Sequence, residues 1–286
     1  MEALLFHQHS SRIWEEPRIL VHWAKQCNVA MRILLSNDDG ISAPGLECLE
    51  HIARVISSDI WVIAPELDRS GASHSLSLDV PLRYQKLEEK KFLVKGTPTD
   101  SVLLGLLELI PLPKPDLILS GVNCGANLGD DITYSGTVAA AIEGALHTIP
   151  AIALSQEMLA SDVANWDVAE RYGPRVIKRL LEVGWPTQVV VNINFPCVLE
   201  SDVKGVSVCH QGKGKPGSRI DRRVDPKGRE YCWIDSARVG SMTTAGSDRE
   251  AIEDGFISLT PLRLDLTDEN TVSSLRQEFD SLAQTR

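Results

Sequence analysis

From Arg32 onward the chain alternates short apolar runs with segments whose apolar residues recur at helical spacing. Arg32 to Ser36, Asp59 to Ala64, Asp116 to Ser120, Pro150 to Ser155 and Gln188 to Asn194 are each rich in Ile, Leu or Val, as strands covered on both faces are. Helical patterns begin near Pro44, Thr99, Gly136 and Trp166. In the first, Leu46, Leu49, Ala53 and Ile56 share one face behind a proline suited to a first turn. This alternation predicts an α/β fold, a Rossmann-like three-layer sandwich whose mainly parallel sheet is covered by helices on both sides. Between the second and third core strands, Leu82 to Leu87 and Lys91 to Lys95 flank Glu88-Glu89-Lys90, which predicts a small antiparallel hairpin at the sheet edge.

After Pro196 the alternation gives way to polar, glycine-rich sequence, followed by Glu230 to Ile234 and Gly255 to Leu259, which read as β-ribbons. Asp225-Pro226-Lys227-Gly228 has turn chemistry, and Tyr231 and Trp233 on one ribbon face would make a surface for another subunit. The expected organisation is an N-terminal extension at 1–30, a Rossmann-like core at 31–200 that carries any chemistry, a β-ribbon appendage for oligomerisation at 201–265, and a C-terminal helix or tail at 266–286. Residues 1–30 scatter His7, His9, Arg12, Glu15, Glu16, Arg18 and Lys25 among apolar positions with no cleavage site. They do not read as a secretory signal, and Met31 opens directly into a strand.

Composition narrows the function. A formal charge of -10 on 286 residues argues against broad contact with nucleic acid, which needs many Lys or Arg to displace counterions. A small phosphorylated ligand is compatible with it, because a cation or a helix N-terminus binds phosphate locally. The six cysteines lack paired spacing, which suits reduced thiols in a cytoplasmic protein. No apolar run reaches the ~18 residues of a membrane span.

The strongest chemical feature is Arg32-Ile-Leu-Leu-Ser-Asn-Asp-Asp-Gly40, a buried strand ending in two adjacent carboxylates and a glycine. Open α/β sheets bind ligands just past the carboxyl ends of their strands. Neighbouring carboxylates there repel one another unless a cation or several hydrogen bonds compensate. Taken alone, Asp38 and Asp39 also suit an Asx-turn that starts a helix. Comparable polar loops follow the next strands, however: Pro65-Glu-Leu-Asp-Arg-Ser-Gly-Ala-Ser73 and Gly121-Val-Asn-Cys-Gly-Ala-Asn-Leu-Gly129. Singly, Ser70 suits a turn hydroxyl, and Asn123 and Asn127 suit left-handed turn geometry. Together with Asp38 and Asp39, Ser70 and Asn123 would make an all-oxygen site suited to Mg²⁺ or Mn²⁺ rather than zinc. Tyr134-Ser-Gly-Thr-Val-Ala-Ala-Ala141 opens a helix, where unsatisfied N–H groups favour an anion and Ser135 or Thr137 equally suits simple N-capping. Thr97 or Thr99 reads as the cap of its own helix. His74 reads as a polar surface residue, His147 as a cation near a helix end, and Gly212 to Gly217 as a mobile loop whose Lys213 and Lys215 are solvated or reach a longer substrate.

Taken together, SNDDG at Ser36 to Gly40, APG at Ala43 to Gly45, RSGAS at Arg69 to Ser73, GTPTD at Gly96 to Asp100, SGVNCGANLGDD at Ser120 to Asp131, YSGTVAAA at Tyr134 to Ala141 and NINFP at Asn192 to Pro196 resemble the SurE family of survival-protein nucleotidases. The resemblance runs from Met31 to about Leu262. It implies a phosphomonoesterase that uses one divalent metal, Mg²⁺ or Mn²⁺, on nucleoside 5′- and 3′-monophosphates, with short polyphosphate as a further substrate. It implies Asp38, Asp39, Ser70 and Asn123 as metal ligands, Asn127, Ser135, Gly136 and Thr137 as phosphate contacts, and a homodimer or homotetramer built through the C-terminal segment.

Asp38 or Asp39 would then take a proton from the attacking water. A covalent aspartyl-phosphate route stays open, since a strand ending in carboxylates and glycine also resembles the haloacid-dehalogenase phosphatases. That superfamily, however, separates its two aspartates by one residue, whereas here they are adjacent and Asn37 holds the earlier position. The reading from another class is a non-catalytic nucleotide-binding module. Against it, Gly121, Gly125 and Gly129 do not form a dinucleotide fingerprint, and Gly212 to Ser218 lacks the P-loop lysine. No G-x-S-x-G elbow of a serine hydrolase occurs either.

Overall fold

Alternating apolar positions on the first strand set the layering. In the computed structural model, which describes residues 30–158, 165–214, 219–235 and 243–283, strand β1 is Arg32–Ser36. Its Ile33 and Leu35 face one hydrophobic layer while Leu34 faces the other. The following elements are α1 (Pro44–Arg54), β2 (Asp59–Pro65), β3 (Arg83–Glu88), β4 (Lys91–Lys95), α2 (Pro98–Leu104), β5 (Leu117–Cys124), α3 (Gly136–Leu146), β6 (Ala151–Gln156), α4 (Asp167–Val183) and β7 (Val189–Phe195). Beyond these lie β8 (Val206–Val208), β9 (Arg219–Val224), β10 (Glu230–Asp235), α5 (Asp248–Glu253), β11 (Ile257–Arg263) and α6 (Glu269–Ala283).

The sheet has nine strands in the order β3-β4-β2-β1-β5-β6-β7-β11-β8. Strands β1, β2, β4, β5, β6 and β7 run parallel, and β3 closes the edge as the antiparallel hairpin partner of β4. Helices α1 and α4 bury Leu46, Leu49, Ile52 and Ile177 on one face, and α2 and α3 bury Val102, Val138, Ala140 and Ala141 on the other. Each fully buried Leu or Ile contributes roughly 1.5–3 kcal/mol. Small residues along α3 let it approach closely: a Cβ on Gly144 would lie 2.3 Å from Ile118 Cδ1.

The expected α/β architecture is present, with one correction in the C-terminal third. Glu230 to Ile234 does form a two-stranded ribbon, with β9 and β10 antiparallel and Tyr231 and Trp233 exposed in edge-to-face contact on one side. The segment expected as a second ribbon, Gly255 to Leu259, instead enters the main sheet as β11, antiparallel to β7. The reason is burial on both faces: Ile257 and Leu259 join the α1/α4 layer while Leu262 joins the α2/α3 layer. The sheet therefore continues past residue 200 through β8 and β11. The extension expected at 1–30 lies outside the described residues, save for Ala30. Among the described residues no helix is long and apolar enough to cross a membrane.

Candidate active site

Three loops converge past the carboxyl ends of β1, β2 and β5. Asn37 is buried and its amide donates to the Gly40 carbonyl at 2.9 Å, closing the turn after β1. Gly40 sits at φ +104 with the Leu67 backbone 3.2 Å from where a Cβ would stand, so only glycine fits. The Arg69 N–H donates to the Asp38 carbonyl at 2.8 Å and the Ile41 N–H to the Pro65 carbonyl at 2.8 Å, which stitches the β1 and β2 loops together.

Asp38 is 4% exposed, and both the hydroxyl and the amide of Thr137 donate to its carboxylate. The N-terminus of α3 is therefore aimed at Asp38. Asp39 is half-buried and accepts from the Cys124 N–H at 3.2 Å, which ties it to the end of β5. Ser70 is exposed, and its N–H and hydroxyl both donate to Asp68 Oδ1, at 2.7 and 2.6 Å. The Asn123 amide donates to the Gly125 carbonyl at 2.7 Å, which leaves its side-chain oxygen as the group it can present.

Burial is the main reason both carboxyls hold protons more tightly than usual. It raises Asp38 in spite of the Thr137 hydrogen bonds, and it raises Asp39 to about 6, with the Asp38 charge next in effect. The charge of Asp68 pushes both in the same direction. The donors here are carboxylate, hydroxyl and amide oxygens, so the residues fit a hard divalent cation. Among the described residues no group of three or more His, Cys, Asp or Glu is placed to hold a metal ion, so this site draws on hydroxyl and amide oxygens besides its two carboxylates.

A pH dependence follows. Because Asp39 binds its proton more tightly in the folded protein than at its ordinary 3.8, the stability this contributes is full below about pH 4 and is lost as pH rises through about 6. The loss is on the order of 2–3 kcal/mol. Metal-free protein should melt at a lower temperature at pH 7.5 than at pH 5, and added Mg²⁺ or Mn²⁺ should stabilise it more at the higher pH. Differential scanning fluorimetry with and without chelator measures both. A metal-free melting temperature that rises from pH 5 to pH 7.5 would contradict the argument.

The phosphate candidates are brought to the same edge in different ways. Ser135 caps α3, its hydroxyl accepting from the Val138 N–H at 3.1 Å. Gly136 lies against Asp38, where a Cβ would come within 2.7 Å of the Asp38 Cβ. Asn127 is buried, its amide donating to Ser155 Oγ at 2.8 Å and its N–H to Asn194 Oδ1 at 2.8 Å.

Residues 33–218 match the family model described as "Survival protein SurE". The chain belongs to the SurE family. It is 50% identical to the 5'-nucleotidase SurE of Paramagnetospirillum magneticum over 87% of this chain and 96% of that protein. It is likewise 50% identical to the 5'-nucleotidase SurE of Caulobacter vibrioides over 86% of this chain and 95% of that protein. The crystal structure of the SurE protein from Aquifex aeolicus superposes with a TM-score of 0.75 at 36% identity, covering 86% of this chain and 99% of that one.

Several contacts around this SurE site escaped the sequence reading. Asp68 orients Ser70 by accepting from both its N–H and its hydroxyl. His74, read as a surface residue, places Nε2 2.8 Å from Oε2 of the buried Glu143 on α3 and so moors the Ser70 loop to that helix. His147 does end α3, and it reaches the other oxygen of Glu143 at 3.4 Å. Gly212 to Gly214, expected to be mobile, is held by Asp248 Oδ1 at Gly212 N and by Asp130 Oδ2 at Gly214 N, both at 2.9 Å. Lys215 and the rest of that loop to Gly217 lie outside the described residues. A buried carboxyl such as Asp248, which also accepts from the Gly129 N–H, has a helix-start pattern in sequence and nothing that announces a partner 119 residues away.

Proposed function

We propose that this chain is a divalent-metal-dependent phosphomonoesterase that hydrolyses nucleoside 5′- and 3′-monophosphates to nucleoside and phosphate, with short polyphosphate as a further substrate. The observation that carries the reading is the meeting of two charge-starved carboxylates, Asp38 and Asp39, with the N-terminus of α3 at the carboxyl edge of a parallel sheet. It is supported by relatives named 5'-nucleotidase SurE at about half identity over most of both chains.

Asp38, Asp39, Ser70 and Asn123 would hold one Mg²⁺ or Mn²⁺. Such an ion supplies Lewis acidity toward a phosphoryl oxygen and makes a nearby water more acidic. The residues do the rest. Ser135, Gly136 and Thr137 set the phosphate at the start of α3, where backbone N–H groups favour an anion, and Thr137 also fixes Asp38. Asn127 keeps the loop after β5 in place through Ser155 and Asn194 and borders the phosphate. Asp39, more open than Asp38, accepts the proton of the attacking water. Phosphate release from a panel of nucleoside 5′- and 3′-monophosphates, with Mg²⁺, with Mn²⁺ and with chelator, tests the reading. Metal-dependent release supports it, whereas nucleotide binding without any release would favour a binding module.

The exposed Tyr231, Trp233 and Ile234 of the ribbon support assembly into a homodimer or homotetramer through the C-terminal segment, which light scattering would check against a monomer. Reduced thiols at Cys48, Cys197, Cys209 and Cys232 support a cytoplasmic location. The formal charge of -10 supports the absence of a stable nucleic-acid complex.

A further inference from the structure

Arg249 carries two guanidinium nitrogens that the described residues leave unmet. The residue is 5% exposed, its Nε and Nη2 are buried with no hydrogen-bond partner, and it makes no ion pair among the described residues. Its main chain is fixed, the N–H donating to Asp248 Oδ1 at 2.8 Å, and Asp248 itself clamps Gly129 and Gly212. Buried charged donors are ordinarily paired, so an unmet fork in so rigid a setting points to a partner that arrives with a ligand.

The residue lines a cavity of about 290 Å³ whose wall includes Gly125, on the loop that carries Asn123. Gly125, whose carbonyl receives the Asn123 amide, forms one wall. Leu128, Met158 and Ile252 form apolar walls suited to a flat ring, and Glu157 and Glu253 are the carboxylates at its border. Met158 Sδ lies 3.8 Å from where a Gly125 side chain would start, so the cavity follows directly on the loop that carries Asn123.

A guanidinium fork matches two acceptors side by side. On a nucleotide these are either two phosphate oxygens or the O6 and N7 of a 6-oxopurine. Two carboxylates on the same cavity oppose a second phosphate and suit N–H donors, and among the described residues the Glu253 carboxylate accepts from the Thr243 hydroxyl, shared across its two oxygens. Guanine and hypoxanthine offer N1–H beside O6, whereas adenine would turn its N6 amino group toward the guanidinium. We infer that Arg249 reads the O6/N7 edge of a 6-oxopurine base in this cavity and makes the protein prefer GMP and IMP to AMP, an inference that rests on the nucleotidase reading above.

The test compares kcat/KM for GMP, IMP and AMP in the full-length protein, Arg249→Met and Arg249→Lys, together with melting of the ligand-free proteins. The wild type should favour GMP and IMP over AMP by about tenfold or more, within what one bidentate base contact gives. Arg249→Met should bring that ratio close to one through KM, and Arg249→Lys, which lacks the fork, should not restore it. Ligand-free Arg249→Met should melt no lower than the wild type, because its unmet donors are gone. An unchanged GMP-to-AMP ratio in a folded Arg249→Met overturns the inference. So does a wild-type ratio at or below one, which decides the matter even where the variant does not fold. Absence of hydrolysis of any nucleotide by the wild type would instead sink the nucleotidase reading. Calorimetric titration with guanosine and adenosine would then still report on the cavity, with equal affinities counting against it.

Discussion

Asp38→Asn is expected to lower phosphate release by about 10²–10³-fold, the scale of losing one principal electrostatic group at a transition state, and to raise the melting temperature of metal-free protein. The two effects have one cause. Asp38 is buried beside Asp39, with Asp68 adding to the repulsion, and only the Thr137 donors and its own backbone N–H offset the desolvation of its charge. An amide of the same shape keeps an oxygen for Thr137 and removes the charge. Each kcal/mol of relief is worth about 2–4 °C in a protein of this size class. Asn at this position should also bind Mg²⁺ or Mn²⁺ far more weakly, so added metal should no longer raise its melting temperature. A variant that is inactive and also less stable than wild type without metal would mean that further contacts hold the Asp38 charge.

Gly136→Ala should be nearly as damaging, for a steric reason. Alanine in a helix is ordinarily favoured over glycine by roughly 0.5–1 kcal/mol, yet here the new methyl would stand 2.7 Å from the Asp38 Cβ and 3.1 Å from the Pro98 Cγ. Neither atom is the free end of a flexible chain, so either α3 or the Asp38 turn must shift by several tenths of an ångström. A misplacement of about 1 Å costs about 10²-fold in a positioned site, which sets the upper end of the loss expected here. Steady-state kinetics and metal titration of Gly136→Ala beside Ser135→Ala separate the effects. Loss of the Ser135 cap should cost about 1 kcal/mol of stability without moving Asp38, so the metal affinity of Ser135→Ala should stay near wild type while that of Gly136→Ala falls. Full activity in Gly136→Ala would show that the carboxylate does not need its present place.

The place of Gly136 in this pair marks where sequence reading stops. A glycine between Ser135 and Thr137 at a helix start is legible as an anion-binding signal. That it is also the point where α3 meets Asp38 depends on a contact between segments 98 residues apart in the chain. Thr137 was equally legible as a hydroxyl at a helix start, and its use as a donor to Asp38 was not. His74 and Glu143 carry no local signal at all, because their contact joins a loop after β2 to the middle of α3.

What the amino-acid order determined alone is the content of short-range patterns. Alternating apolar strands and amphipathic helices specify a parallel sheet with helices on both faces. Strand ends followed by Asp38-Asp39, by the Ser70 loop and by the Asn123 loop place three polar segments on one edge, because parallel strands all end on the same side. The Glu230 to Ile234 ribbon was legible in the same way, from alternation and a turn. Tertiary structure decided whatever rests on which surface meets which. Only burial against β7 and two helix layers told β11 apart from a ribbon strand of similar pattern. Only the approach of α3 raised the proton affinity of Asp38 through burial while supplying Thr137 to hold it. Only the packing of α5 beside the Gly125 loop left Arg249 buried with its donors unmet. Local propensity and period act over a few residues and are written in the chain order, whereas desolvation, close approach and an unanswered hydrogen bond exist only once distant segments share a volume.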